Sequence, residues 1–229
     1  MEAIILAGGL GTRLAVRLPG LPKAMAPIAG RPFLEILLRQ LKDAGCTRAL
    51  LAVGYLHAMI EEHFGGSFDG MRLEYAVEEA PLGTGGAIRN ALAKAREDAV
   101  LVLNGDTFLD ADYREMLRFH REQGAAMTMA IAHQDNIARY GGVLVSGNKI
   151  VGFEEKGRSG PGWINAGAYA LRRDLLWPAS LPAGFSIERD FLMAEIGRLE
   201  AAAFEVRGFF LDIGVPEDFD HAQTALQAF

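Results

Sequence analysis

The feature that most constrains this chain is a rhythm in its first half. Short apolar runs at residues 3–7, 48–53, 72–77 and 99–104 alternate with amphipathic stretches long enough to be crossover helices. That pattern predicts βαβ units around a largely parallel sheet. The run "VLVL" at 100–103 is apolar on both faces, as a central parallel strand requires. Between the first two runs, "PFLEILLRQLKDAG" places Phe33, Leu34, Leu37, Leu38 and Leu41 on one helical face, with Pro32 suited to the first turn and Gly45 to the stop. Residues 56–63, 84–95 and 112–123 are predicted helices of the same kind. After residue 124 the runs "AAMTMAIA", "GGVLVSGNKIVGFEE" and "WINAGAYAL" predict mixed or antiparallel strands joined by glycine turns, and helices return at 188–198 and 216–227.

Composition excludes several classes of function. A formal charge of −6 without long runs of either sign gives no basic footprint for nucleic acid. Cys46 is the only cysteine, so an intrachain disulfide and a multi-cysteine metal site are both ruled out, and a small buried core residue is expected. The five histidines, His57, His63, His120, His133 and His221, are dispersed without an H-x-x-x-H pair, which points to structural or surface roles. No apolar run approaches the roughly 18 residues that span a bilayer, and no signal-like segment opens the chain. The expectation is a cytoplasmic protein without membrane or nucleic-acid partners, in which any phosphate ligand is gripped locally.

A candidate grip follows the first strand. Leu6-Ala7-Gly8-Gly9-x-Gly11-Thr12-Arg13 begins like a dinucleotide fingerprint but has Leu14 in place of its third glycine, and no acid ends the next strand near residue 55. The Walker pattern is absent as well. Ten residues later comes Pro22-Lys23-Ala24-Met25-x-Pro27. Backbone N–H groups of such a loop can hold phosphate oxygens, while Arg13 and Lys23 can neutralise charge developing on a triphosphate.

On these residues, "LAGGLGTRL…LPKAM", the chain resembles the sugar-1-phosphate nucleotidylyltransferases, and the similarity runs nearly to the C-terminus. The resemblance implies a Rossmann-like α/β fold with a mixed, mostly parallel central sheet flanked by helices. It implies one nucleotidyltransferase domain over 1–229, its nucleotide-binding part about 1–110 and its sugar-phosphate-binding part about 111–229. The implied reaction is attack by a sugar 1-phosphate on the α-phosphorus of a nucleoside triphosphate, with release of pyrophosphate. Leu6, Ala7, Gly8, Gly9, Gly11, Thr12, Arg13 and Lys23 would hold the nucleotide, with Arg13, Lys23 and Asp106 as catalytic groups.

Bringing one phosphate against another calls for a divalent cation, and hard carboxylate oxygens suit Mg²⁺. "LVLNGDTF" delivers Asp106 past the carboxyl end of an apolar strand, and "GFFLDIGVPEDF" delivers Asp212 after another. Both match the family's Mg²⁺-holding acidic positions.

"YAVEEAPLGTGGAI" matches the segment that contacts the nucleobase, with Gly83 and Thr84 in the following turn. Glu78 stands where uridylyl- and thymidylyl-transferases carry glutamine. Guanine offers adjacent N1–H and N2–H₂ donors, which a carboxylate accepts as a pair, whereas uracil offers one N–H between two carbonyls. Glu78 therefore argues for GTP.

On the sugar side the resemblance assigns Lys156 to the sugar phosphate and Glu155 and Asn165 to its hydroxyls, with Gly142 and, more weakly, Glu188 as further contacts. Glu78, "EEKGRSGPGWINAGAY", "FSIERDFL" and "FFLDIGVPEDF" most resemble the guanylyltransferases for D-glycero-α-D-manno-heptose 1-phosphate. The alternatives are a mannose-1-phosphate guanylyltransferase, an N-acetylhexosamine or N-acetylmuramate 1-phosphate uridylyltransferase, and a non-catalytic subunit that senses nucleotide sugars. A homo-oligomer is compatible with all of them.

Overall fold

The computed structural model describes residues 1–9, 14, 17–177 and 181–229. Strands β1 (Glu2–Leu6), β4 (Arg48–Val53), β6 (Met71–Val77) and β7 (Ala99–Asn104) fall where the apolar runs predict them. They pair in parallel in the order β7-β1-β4-β6. Two short ribbons, β2 (Pro27–Ile28) with β3 (Arg31–Pro32) and β5 (Ser67–Phe68) against β6, fill the loops between them.

Period-two alternation sorts the central strands onto two cores. Ala3 and Ile5, Ala49 and Leu51, and Leu101 and Leu103 face one core, while Ile4, Leu50, Val100 and Val102 face the other. Helix α1 (Phe33–Asp43) seals the first with Phe33, Leu34, Leu37, Leu38 and Leu41, joined by Ile60 and Phe64 of α2 (His57–Phe64) and Tyr113, Met116 and Leu117 of α4 (Tyr113–Glu122). Helix α3 (Gly83–Leu92) covers the other with Ile88, Ala91 and Leu92. Cys46 is a buried core residue, as its isolation predicts.

The second half extends the same sheet. Ribbon strand β8 (Thr107–Leu109) follows β7, then β9 (Met127–Gln134), the hairpin β10 (Gly142–Ser146) and β11 (Lys149–Glu154), and the long β12 (Gly162–Arg172). Strand β12 lies antiparallel between β7 and β9, so the two halves share one sheet. Strand β13 (Ala201–Val206), which "AAAFEV" does not announce, slots between β9 and β11. The ten strands so assembled form one mixed sheet among the described residues, ordered β10-β11-β13-β9-β12-β7-β1-β4-β6-β5. Strand β14 (Phe210–Asp212) pairs with β8, and α6 (Pro216–Ala225) closes the chain.

The predicted helix 188–198 is less regular than expected. Residues Ile187–Leu192 wind as a π-helix, Met193–Glu195 add a short α-helical piece labelled α5, and the chain leaves it before Gly197. Helix α3 also ends before residue 95, because a buried ion cluster takes the polar groups that would continue it. Arg48 donates to both carboxylate oxygens of Glu74 at 2.9 and 2.7 Å, to the Lys94 carbonyl at 2.9 Å and to Glu2. Glu2 in turn accepts the amides of Arg96 and Glu97 at 2.6 and 2.9 Å. Glu2 and Arg48 are only 4% and 6% exposed, yet every charge has its partners, which is the condition under which buried ions are tolerated. The cluster clamps the amino-terminal ends of β1 and β4 to β6 and to the turn after α3.

Two stability predictions follow from these buried groups. Arg48→Met strands Glu2 without its counter-charge and should cost about 3–5 kcal/mol in urea unfolding at neutral pH. His120 is 3% exposed and its Nδ1 lies 2.9 Å from Thr128 Oγ1. Burial, with Arg121 and Arg172 adding to it, pushes its pKa down from 6.5 to about 4. The unfolded chain therefore binds a proton that the folded chain refuses, and this part of the stability is complete above pH 6.5 and is lost as pH falls towards 4. Unfolding free energies measured between those limits should decline by up to about 1.4 kcal/mol per pH unit more in wild type than in His120→Gln.

Candidate active site

The sheet's parallel strands carry their carboxyl ends to the edge opposite the Arg48 cluster, and open α/β sheets bind ligands at that edge. Three groups of side chains meet there. The first gathers the glycine loop and the predicted base-reading acid. Ala7 N–H donates to the Ala52 carbonyl at 2.8 Å, and Glu78 N–H to that of Val53 at 2.8 Å, so the ends of β1, β4 and β6 stay in register beyond the strands. A side-chain carbon at Gly8 would fall 3.0 Å from the Gly54 nitrogen, which explains why this turn carries glycine. Gly54 in turn lies against the Cβ of Glu78. Glu78 is half-buried and accepts the Leu82 N–H at 3.0 Å; burial lifts its pKa above the ordinary range, against the lowering effect of that amide. Leu6 and Ala7 border the same edge, and Gly9 is exposed beside them. Gly11, Thr12 and Arg13 lie outside the described residues.

Beyond Glu78, the "GTGG" turn opens α3. Gly83 and Thr84 are exposed at its start, and the glycines after them serve close packing. A Cβ at Gly85 would sit 2.1 Å from the Phe185 ring, while the amides of Gly85 and Gly86 donate to the Phe185 carbonyl at 2.9 and 3.4 Å. Thr84 Oγ1 accepts the Ile187 N–H at 3.0 Å. The start of α3 is thereby fastened to the segment that leads into the π-helix.

The second group holds the charges. Asp106 follows β7 directly and Asp212 ends β14, facing Thr107 across the β8–β14 ribbon. Ile213 N–H donates to the Asp106 carbonyl at 2.9 Å, which locks the two aspartate-bearing turns together. Lys23, on the short 3₁₀ turn Lys23–Met25, places Nζ 2.6 Å from Asp106 Oδ2. A Cβ at Gly214 would stand 2.7 Å from Asp212 Oδ1 and 2.9 Å from Lys23 Nζ, so the ammonium and the second carboxylate flank the same glycine. The Asp212 pKa is raised, first by burial and next by the charge of Asp106, against the lowering effects of Lys23, the Gly214 amide and Arg139. The two sequence-predicted metal ligands thus share one electrostatic neighbourhood. Hard oxygens, mutual repulsion and partial exposure suit the pair to a small divalent cation that keeps part of its water shell. Lys23 is their present counter-charge.

The third group lies on β12. Its register against β9 shifts between Asn165 and Tyr169, and this irregularity presents Asn165 at the site edge. Asn165 Nδ2 donates to Glu188 Oε1 at 2.8 Å and to the Tyr169 hydroxyl at 2.6 Å, while its Oδ1 accepts the Gly167 N–H at 3.0 Å. Asn165 and Glu188, separated by 23 positions in sequence, are therefore joined. Gly167 packs against Asn104 and Thr107, next to Asp106, which links this group to the charged one.

Glu155 and Lys156 occupy the exposed turn after β11, and the Lys156 stem runs beside Gly141. Among the described residues neither makes a polar contact with the other three groups. The space beside Gly142 is filled by the carboxylate of Glu154, which pairs with Arg158. Sequence reasoning missed Arg139. It forms an ion pair with Asp218, lies 3.9 Å from Asp212 Oδ2 and sits 5.0 Å over the Tyr140 ring. Its only sequence signal is that it directly precedes Tyr140-Gly141-Gly142.

Comparison with known proteins shows the family. The nucleotidyl transferase family pattern matches residues 2–228. The chain is 40% identical over 227 residues to a D-glycero-alpha-D-manno-heptose 1-phosphate guanylyltransferase of Aneurinibacillus thermoaerophilus, covering 99% of both chains. It is 41% identical to one of the same name from Campylobacter jejuni, covering 96% and 98%. Among solved structures, HddC from Yersinia pseudotuberculosis complexed with GMP-PN superposes with a TM-score of 0.86 at 33% identity, covering 99% of each chain. A putative glucose-1-phosphate thymidylyltransferase from Bacillus anthracis shares the fold at 21% identity, with a TM-score of 0.89 over 100% of this chain and 96% of that one. With its mixed sheet, its strand-end site and these relatives, the chain belongs to the nucleotidyl transferase family.

Proposed function

We propose that this protein is a sugar-1-phosphate guanylyltransferase that transfers GMP from GTP to D-glycero-α-D-manno-heptose 1-phosphate, giving GDP-heptose and pyrophosphate. The observation that carries the reading is the convergence of Lys23, Asp106 and Asp212 on one strand edge, with Glu78 and the glycine turn beside them. Full-length similarity to proteins of that name supports the sugar. A mannose-1-phosphate guanylyltransferase of Mycobacterium tuberculosis is 37% identical, and mannose 1-phosphate is the second substrate to try.

In the reaction an oxygen of the sugar phosphate bonds to the α-phosphorus of GTP and the bond to the β-phosphate breaks, so pyrophosphate leaves. The attacking phosphate is already ionised at neutral pH, so no dedicated base is required. The chain's task is to hold two polyanions in line and offset their repulsion. The nucleotide lies over residues of the first half, about 1–110, with amides of the glycine turn, Arg13 and Lys23 on its phosphates and Glu78 on the guanine edge. The sugar phosphate lies over the second half, with Lys156 on the phosphate and Asn165, Glu188 and Glu155 on hydroxyls. Asp106 and Asp212 would hold Mg²⁺, which when bound supplies divalent charge against both phosphates. Among the described residues no helix is long and apolar enough to cross a membrane.

Pyrophosphate release measured across four nucleoside triphosphates and several sugar 1-phosphates should be fastest with GTP and the heptose phosphate, and only with a divalent cation present. Equal rates with UTP would refute the base assignment. In Glu78→Gln the ratio of kcat/KM for GTP over UTP should fall by about tenfold or more, the worth of a charge-assisted hydrogen bond. Asp106→Asn should lower kcat by about 100-fold or more while the protein keeps its melting temperature. Retention of wild-type turnover in that variant would remove Asp106 from the machinery.

A further inference from the structure

The carboxylate of Asp212 is hydrogen-bonded on one side and faces a cation on the other. Its Oδ1 accepts the Gly214 N–H at 2.7 Å, on the side where Lys23 Nζ borders the same glycine. Its Oδ2 is turned the other way, towards the Arg139 guanidinium at 3.9 Å. Arg139 itself is held on two sides, and the second support is braced in turn. Asp218, in the first turn of α6, pairs with it; Tyr140 lies beneath it, 5.0 Å from its centre; and the Tyr140 ring is wedged edge-on against Phe210 at 5.6 Å, two positions before Asp212 on β14. A side chain so braced has given up its own rotamer freedom and can orient a neighbour at little further entropic cost.

Resting on the reading that Asp212 helps to hold the divalent ion, we propose that Arg139 is a positioning residue: from its anchorage on Asp218 and Tyr140 it fixes the outer oxygen of Asp212, so that the inner oxygen points at Asp106 and Lys23. It acts through Asp212 and touches neither substrate. The same short segment steadies the sugar side, because the Ala138 carbonyl accepts the Gly157 N–H at 2.9 Å and Gly141 packs on the Lys156 stem. One element thus sets the aim of the carboxylate and the course of the loop expected to carry the sugar phosphate. At 3.9 Å Arg139 acts on Asp212 by charge and orientation, not by a hydrogen bond, so its effect belongs at the low end of the roughly 10–100-fold that outer partners of metal ligands exert on affinity.

The test is binding of Mn²⁺ alone to the substrate-free protein, followed by loss of the free-ion EPR signal and paired with the Mg²⁺ activation constant in the pyrophosphate assay. Arg139→Gln keeps the stem over Tyr140 and removes the charge and the fork; it should weaken Mn²⁺ binding and raise the activation constant by about tenfold, with KM for GTP at saturating metal unchanged. Arg139→Lys, which restores a point charge, should recover part of both losses. Asp218→Asn, which releases the anchor but leaves Arg139 in place, should move both quantities the same way. Mn²⁺ affinity that is unchanged or tighter in a folded Arg139→Gln protein overturns the proposal, since tighter binding is what a merely repelling cation predicts. Asp106→Asn and Asp212→Asn separate this failure from the deeper one. If they bind Mn²⁺ as wild type does, or if wild type leaves the signal unaltered up to millimolar ion, the two-aspartate site falls and Arg139's role with it.

Discussion

Asp106 and Asp212 repel one another, and much of the surrounding architecture serves to hold them together in spite of it. The β8–β14 ribbon sets Asp212 opposite Thr107, the neighbour of Asp106, the Ile213 amide ties one turn to the other, and Lys23 and Arg139 stand nearby as counter-charges. Without those cations the pair would be driven apart or one acid would take up a proton. Held this way, the two carboxylates stay close together and partly exposed at the carboxyl ends of the parallel strands.

The opposite edge of the sheet shows the contrast. Glu2, Arg48 and Glu74 are closely surrounded by one another and by backbone groups, so that charge is closed off and serves the frame. Arg48 lowers the Glu74 pKa to about 2, whereas burial and Asp106 raise that of Asp212. Carboxylates at opposite ends of the parallel strands are thus pushed in opposite directions. At one edge they stabilise the amino ends of the parallel strands; at the other they stay partly exposed beside Lys23 and Arg139.

Much of the frame is legible in the sequence because its signals are local. The apolar runs that become β1, β4, β6 and β7 and the leucine face of α1 need only periodicity to be read. Strand β13 is not legible: three alanines followed by Phe204 carry little strand preference, and the slot between β9 and β11 is what makes them a strand. The wide turn at Ile187–Leu192 escapes for a similar reason, since its course is fixed by the attachment of Phe185 and Ile187 to the start of α3. The α3 glycines invite a reading as ligand-facing backbone, yet Gly85 and Gly86 make room for that attachment. A sequence cannot distinguish a glycine kept for a ligand from one kept for another part of the chain.

The sequence by itself determined the kinds of group available: a glycine turn at the end of a strand, Lys23, Asp106 and Asp212 in strand-end contexts, and a glutamate at position 78. These are chemical properties of short segments, and short segments carry them unaided. Only the tertiary structure decided which of them meet. Asp106 and Lys23 are 83 positions apart and Asn165 and Glu188 are 23 apart, and their contacts exist because strand order and a register shift in β12 bring distant turns to one edge. Arg139 is the clearest case, for its only local signal is the Tyr140-Gly141-Gly142 that follows it, and its place beside Asp212 is set by the packing of the turn after β9 against β14 and α6.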